Sequence, residues 1–132
     1  MTVQELQQLF YLNKLIEHEK ERLEDLRSTL TLQSPTLTDM PKSPGAKDKI
    51  GAIVPSIIDQ EAEIEKNLHV YMEARNKIMT YINRVPNARI KTILILRFID
   101  QKSWQEVAEI IGGKETEYSV KHAVYRYVER IP

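Results

Sequence analysis

The residues best suited to recognition chemistry lie close together near the C-terminus, in residues 118–126. Their side chains can donate hydrogen bonds to phosphate oxygens and to base edges, and the aromatic rings can reach sugars or thymine methyl groups. No acidic residue occurs between Tyr118 and Tyr127. These residues therefore predict a nucleic-acid contact surface, and the alternative is an ordinary solvated helix face. The predicted contact residues are Tyr118, Ser119, Lys121, His122, Tyr125 and Arg126.

A helix must hold these residues, and the spacing of the apolar residues predicts one. Thr116 can cap the start of this helix. The apolar residues that follow repeat with helical spacing and leave the polar residues on the other side. This apolar set consists of Val120, Ala123, Val124, Tyr127, Val128 and Ile131.

A shorter helix is predicted directly before it, beginning at Trp104. Ser103 and Glu106 form an S-x-x-E capping box, in which each side chain can satisfy a free amide at the start of the helix. Gly112 and Gly113 end this helix, because glycine accepts the left-handed backbone of a C-terminal cap. Two short helices joined by a glycine turn predict a helix-turn-helix whose second helix enters the DNA major groove.

The preceding segment completes a three-helix domain over residues 86–132. Its apolar residues Ile90, Ile93, Leu94 and Phe98 predict a helix that ends near Asp100. We expect Trp104 to pack close to Leu94 and Phe98.

Residues 1–85 predict a long antiparallel helical hairpin resembling a coiled coil. One apolar stripe runs through residues 9–30, and a second runs in heptad register from Ile50 to Ile82, including Val54 and Leu68. A loop is predicted at residues 33–47, where proline, glycine and serine cluster, and Pro55 predicts either a kink or a helix start. The surplus of apolar residues predicts a homo-oligomer, a dimer or higher. The fold class is therefore all-α, with this hairpin followed by the helix-turn-helix domain.

Composition argues against several classes of protein. The chain contains 19 basic and 19 acidic residues, so a nucleic-acid surface must be local. It has no cysteine, its three histidines lie far apart, and it lacks a phosphate-binding glycine loop, so we expect neither an enzyme, a metal site nor a cofactor. No signal peptide or stretch of 18 apolar residues occurs, and we expect a cytoplasmic protein without a membrane partner.

The sequence "RIKTILILRFIDQKSWQEVAEIIGG" and the helix after it resemble region 4 of sigma-70-type factors, in which a leucine-rich helix ending "LRF" or "LRY" precedes the helix-turn-helix. The stretch "PTLTDMPKSPGAKDKIGAIVPSIIDQEAEIEK" is similar to a family of small phage and prophage proteins related to the ArpU and RinA late transcription regulators. These resemblances imply a phage-encoded DNA-binding transcriptional regulator in a bacterial host cell.

Two other functions remain open at this point. The first is a small DNA-packaging subunit, similar to a terminase subunit, that assembles a ring through the hairpin. The second is an adaptor that binds RNA polymerase through the hairpin and reads no bases. Double-stranded DNA is the expected partner of a regulator or a packaging subunit, and RNA polymerase is the expected partner of the adaptor.

Overall fold

The computed structural model describes residues 1–33 and 44–130, and all regular structure in these residues is helical. Five α-helices follow one another in the described residues, and a π-helical turn at Ile95–Ile99 directly extends the third. The prediction of an all-α protein is confirmed. The helices are α1 (Val3–Gln33), α2 (Pro44–Asn83), α3 (Ala88–Leu94), α4 (Trp104–Ile111) and α5 (Glu117–Glu129).

Contacts between residues divide the chain into two compact units. One unit comprises residues 1–13 and 71–132, and the other comprises residues 14–70. This grouping differs from the predicted division into residues 1–85 and 86–132, because the beginning of α1 and the end of α2 are buried together with the C-terminal helices.

The first unit has an aliphatic core with an aromatic edge. Leu6 and Leu9 of α1 and Ile82 of α2 have no exposed surface. They share one cluster with the apolar faces of α3, α4 and α5. Of the predicted apolar set of α5, Val120, Val124 and Val128 are buried, Ala123 and Tyr127 are half-buried against the cluster, and Ile131 lies outside the described residues. The other members of the cluster are Ile78, Val85, Ile90, Ile93, Leu94, Phe98, Trp104, Val107, Ala108, Val120, Val124 and Val128.

The connection between the π-helical turn and α4 is tied to α1. Gln101 has a φ of 58°, a left-handed conformation that is unusual for a residue other than glycine. Its side-chain amide nitrogen donates to the carbonyl of Leu9 at 3.4 Å, and its amide oxygen accepts from Asn13 at 3.0 Å. These two hydrogen bonds offset part of the cost of the backbone conformation and position the start of α4.

The second unit contains a polar contact in its interior. Asn67 of α2 is 9% exposed, and its amide nitrogen donates to both carboxylate oxygens of Glu19 at 2.9 Å. The sequence placed Leu68 and Val54 in the buried stripe, but they are 39% and 42% exposed. The prediction is right at Ile64 but wrong at these two positions, because the buried face passes through Ile64 and Asn67.

The second helix begins earlier than predicted. Residues 34–43 of the predicted loop lie outside the described residues, whereas residues 44–47 belong to α2. Pro44 suits the first position of a helix, where no amide hydrogen is needed. A helix start near Pro55 was wrong, because α2 continues through this residue. Proline at this position cannot donate to the carbonyl of Gly51, and Gly51 is exposed.

Candidate nucleic-acid interface

Helices α4 and α5 contact each other, and a short glycine turn joins them. Ser103 caps α4 by accepting a hydrogen bond from the amide of Glu106 at 3.1 Å, so α4 begins at Trp104 as predicted. Gly112 and Gly113 have φ values of 76° and 66°, which confirms the predicted positive-φ cap. Ala108 is 7% exposed in the cluster that also contains Val120 and Val124 of α5. The small residue is consistent with two helices in contact at this point.

The start of α5 is held by a reciprocal cap. The hydroxyl of Thr116 accepts from the amide of Ser119 at 3.0 Å, and the hydroxyl of Ser119 accepts from the amide of Thr116 at 2.8 Å. The hydroxyl of Ser119 also donates to Glu115 at 2.7 Å. The Thr116 cap was predicted from the sequence, whereas Ser119 was predicted to contact nucleic acid. Its observed hydrogen bonds position the helix, and the T-x-x-S spacing was the overlooked signal.

An ion pair fixes the turn before α5 to α3. The guanidinium group of Arg89 donates to both carboxylate oxygens of Glu115, each at 2.9 Å. The hydrogen bond from Arg89, followed by that from Ser119, lowers the pKa of Glu115 below its ordinary value. The hydrogen bond to Glu115 raises the pKa of Arg89. The charge of Glu115 is therefore balanced within the domain.

This ion pair makes stability depend on pH. Replacing Glu115 by glutamine is expected to lower the free energy of unfolding by about 1 kcal/mol at neutral pH, since part of the ion pair is exposed to solvent. The contribution is present above the unfolded carboxyl pKa of about 4.3 and is lost as the pH falls through the lower folded pKa. Urea unfolding of the wild type and of Glu115→Gln at about pH 7 and about pH 3 would measure the difference in their free energies of unfolding at each pH.

Glu109→Gln is the matched control for this measurement, because Glu109 is exposed and makes no salt bridge among the described residues. The control is expected to change stability by less than about 0.5 kcal/mol at either pH. An equal cost of Glu115→Gln at the two pH values would contradict a role for the carboxylate charge.

Two of the predicted contact residues form an exposed aromatic pair. The rings of Tyr118 and His122 are stacked, with centroids 5.3 Å apart and an angle of 10° between the planes. Tyr118 is 73% exposed, and His122 is also exposed. Residues four apart on a helix are neighbours, so the stack supports the first turns of α5. It also presents polar ring atoms and a flat apolar surface to solvent.

Lys121 and Tyr125 lie toward α4. The ammonium group of Lys121 is 5.7 Å from the centre of the Tyr125 ring, and that ring meets the ring of Trp104 edge-on at 6.3 Å. The guanidinium group of Arg97 lies 4.8 Å from the Trp104 ring and donates to the carbonyl of Lys102 at 2.9 Å. Tyr125 is half-buried, so its ring contributes to packing as well as to the surface.

Arg126 lies on the other side of α5, toward α3. It is exposed and lines an open groove together with Arg89 and His122. At about 100° per residue, Lys121 and Arg126 point about 140° apart around the helix. The predicted contact residues therefore form two edges of α5, with the stacked pair near one of them.

Comparison with models of known protein families assigns the chain to one family. A family model described as "Protein of unknown function (DUF1492)" matches residues 31–129. The chain belongs to the DUF1492 family. The matched region includes helices α3 to α5 and all six predicted contact residues of this DUF1492 protein.

A curated protein is also similar to this DUF1492 chain. It is reticulocyte-binding protein homolog 1 of Plasmodium falciparum (isolate 3D7), which is 30% identical over 115 residues. The alignment covers 86% of this chain but 4% of that protein, so the chain spans a small part of the length of this relative. No solved structure matches the chain.

The described part of this DUF1492 chain contains no group of three or more histidine, cysteine, aspartate or glutamate residues that could hold a metal ion. None of the helices in residues 1–33 and 44–130 is long and apolar enough to cross a membrane.

Proposed function

We propose that this chain is a sequence-specific DNA-binding transcriptional regulator, encoded by a phage or prophage and acting in the cytoplasm of its bacterial host. In this proposal α4 and α5 form a helix-turn-helix, and α5 reads the major groove. The observation that carries the proposal is the exposed surface of α5, which combines cationic and aromatic side chains and lacks acidic residues between Tyr118 and Tyr127.

The dimensions and charges of α5 support this function. Its 13 residues span about 20 Å, which is long enough to cross a major groove about 12 Å wide. Lys121 and Arg126 project from opposite edges, so one can meet bases while the other meets a phosphate. The ion pair between Arg89 and Glu115 reduces the repulsion that this carboxylate would otherwise exert on a phosphate.

In the proposed arrangement the long helices form an antiparallel hairpin that joins two copies of the chain. The contacts Glu19–Asn67 and Arg27–Glu61 support the antiparallel direction, because later residues of α1 meet earlier residues of α2. Large apolar side chains on this part remain exposed, including Ile58 at 60% and Val54 at 42%. A second copy that covers them would remove this apolar surface from water.

We therefore expect a homodimer or a higher oligomer through residues 1–85. Light scattering at micromolar concentration should give at least twice the chain mass of 15.4 kDa. Ile58→Lys should shift the protein toward the monomer, since a charge would replace an exposed apolar side chain. The control is Lys66→Ala, at an exposed charged position of α2, which should keep the oligomer. A monomeric mass for the wild type would contradict this expectation.

The function is tested by recovering and sequencing the DNA fragments that the purified protein retains from a random pool. Fluorescence anisotropy then compares a recovered fragment with its scrambled sequence. We expect the wild type to bind the recovered fragment more tightly than the scrambled one. Lys121→Ala or His122→Ala should lose about 1–3 kcal/mol of binding free energy and show relaxed specificity. Arg126→Ala should bind all sequences more weakly by the same factor. Circular dichroism confirms that each variant is folded.

The outcomes separate the competing functions. Equal binding of recovered and scrambled DNA by a ring-shaped assembly would favour a packaging subunit over a regulator. Absence of DNA binding, combined with retention on RNA polymerase, would favour the adaptor.

A further inference from the structure

A groove of about 540 Å³ lies between α3 and α5 in the first unit. Arginines from both sides line it: Arg89 from the start of α3, and Arg126 and Arg130 from the end of α5. Among the described residues, no aspartate or glutamate lines it. Because Arg89 is paired with Glu115, Arg126 and Arg130 are the residues that make the groove cationic, although the chain as a whole carries no formal net charge.

Arg126 and Arg130 form no ion pair with any of the described residues. Both side chains are exposed. Arg126 lies in the last turn of α5 and Arg130 is its C-cap residue; both line the same groove, so their like charges repel each other. His122 stands four positions before Arg126, on the same ridge. An anion between these side chains would relieve the repulsion.

The floor of the groove differs from its rim. Ile90, Ala123 and Tyr127 contribute apolar surface, while the guanidinium groups and the side chain of Asn87 supply hydrogen-bond donors. An apolar surface beside several donors suits a sugar joined to a phosphate better than it suits an inorganic anion alone. A guanidinium group also matches the geometry of phosphate oxygens, to which it can donate two parallel hydrogen bonds.

We propose that this groove binds the sugar-phosphate backbone of double-stranded DNA, with Arg126 and Arg130 donating to the oxygens of one phosphodiester. The inference rests on the proposed function and adds Arg130 and the α3 side of the domain to it. Arg89 lines the far rim, where Glu115 balances its charge. Lys121, on the opposite edge of α5, is then left to face the bases.

The test measures DNA affinity by fluorescence anisotropy at several salt concentrations for the wild type, Arg130→Ala and Arg130→Lys. Arg130→Ala should bind recovered and scrambled DNA about tenfold more weakly, because a charged hydrogen bond is lost. The slope of log K against log salt should become shallower by about 0.9. Arg130→Lys should restore the slope, since lysine keeps the charge.

The matched control is Lys77→Ala, which removes one positive charge from an exposed position of the same unit outside the groove. Its salt slope should equal that of the wild type. An equal decrease of the slope in Lys77→Ala and Arg130→Ala would overturn the groove as a specific contact and leave only a net-charge effect.

Two further results separate the possible failures. If the wild type binds recovered DNA and folded Arg130→Ala binds it equally well with the same slope, the groove inference is wrong and the proposed function stands. If the wild type binds no DNA, both are wrong. Saturable calorimetric binding of inorganic phosphate that Arg130→Ala abolishes, without any change in DNA affinity, would also overturn the inference and indicate a site for a free anion.

Discussion

Replacing Trp104 by alanine is expected to lower the free energy of unfolding by about 3–5 kcal/mol. The ring is 8% exposed and meets the rings of Phe98 and Tyr125 edge-on, with centroids 6.1 Å and 6.3 Å away. The guanidinium group of Arg97 also lies over it at 4.8 Å. Alanine would remove all three contacts and leave a cavity between α4, α5 and the π-helical turn. Urea unfolding followed by circular dichroism measures the loss.

Ile110 provides the control within the same helix. It is also a large apolar residue, but it is 53% exposed, so Ile110→Ala should change stability by less than about 0.5 kcal/mol. Trp104→Phe should cost less than Trp104→Ala, because a smaller ring still fills part of the space. If Trp104→Ala and Ile110→Ala had equal effects, the ring would not be a core contact in solution.

Features that depend on a few neighbouring residues were predictable from the sequence. Ser103 and Thr116 cap helices because a hydroxyl group can reach an amide three residues later, and that spacing can be identified in the amino-acid sequence. Gly112 and Gly113 have the positive φ values expected after a helix. The predicted packing of Trp104 near Phe98 also follows from helical spacing on either side of a short turn.

Contacts between distant residues were the part that the sequence did not reveal. The buried stripe of α2 was predicted from the spacing of apolar residues alone, which favoured burial of Leu68 over burial of its neighbour Asn67. Asn67 is buried because Glu19, 48 positions earlier, accepts hydrogen bonds from its amide. No local pattern indicates such a pair, so a polar residue on a buried face was read as exposed.

The same limit applies to the candidate interface. Exposed residues of α5 such as Lys121 and Arg126 were predicted, because periodicity separates the two faces of a helix. Arg89 pairs with Glu115 from 26 positions away, and the groove that includes Arg130 exists only once α3 and α5 are adjacent. Knowledge of the helix faces therefore identified the residues of one element but not the surface formed by two.

A double charge reversal, Lys121→Glu with Arg126→Glu, is expected to weaken DNA binding by at least about a thousandfold. Each substitution removes a contact to a base or a phosphate. Loss of a base contact typically costs about 1–3 kcal/mol of binding free energy. Each substitution also places a carboxylate against the DNA, and like charges at an interface cost several kcal/mol. With about 1.4 kcal/mol for each tenfold change, the combined loss exceeds three powers of ten. Fluorescence anisotropy at low salt measures it.

The fold should survive this change, because both side chains are exposed and neither belongs to the buried cluster. The control variant, Lys66→Glu with Lys77→Glu, alters the net charge equally at exposed positions of α2. Its affinity should fall by less than about tenfold, since only the long-range field changes. If both folded variants lost affinity equally, binding would depend on net charge alone. If the α5 variant still bound the recovered DNA as the wild type does, α5 would not be the helix that contacts DNA.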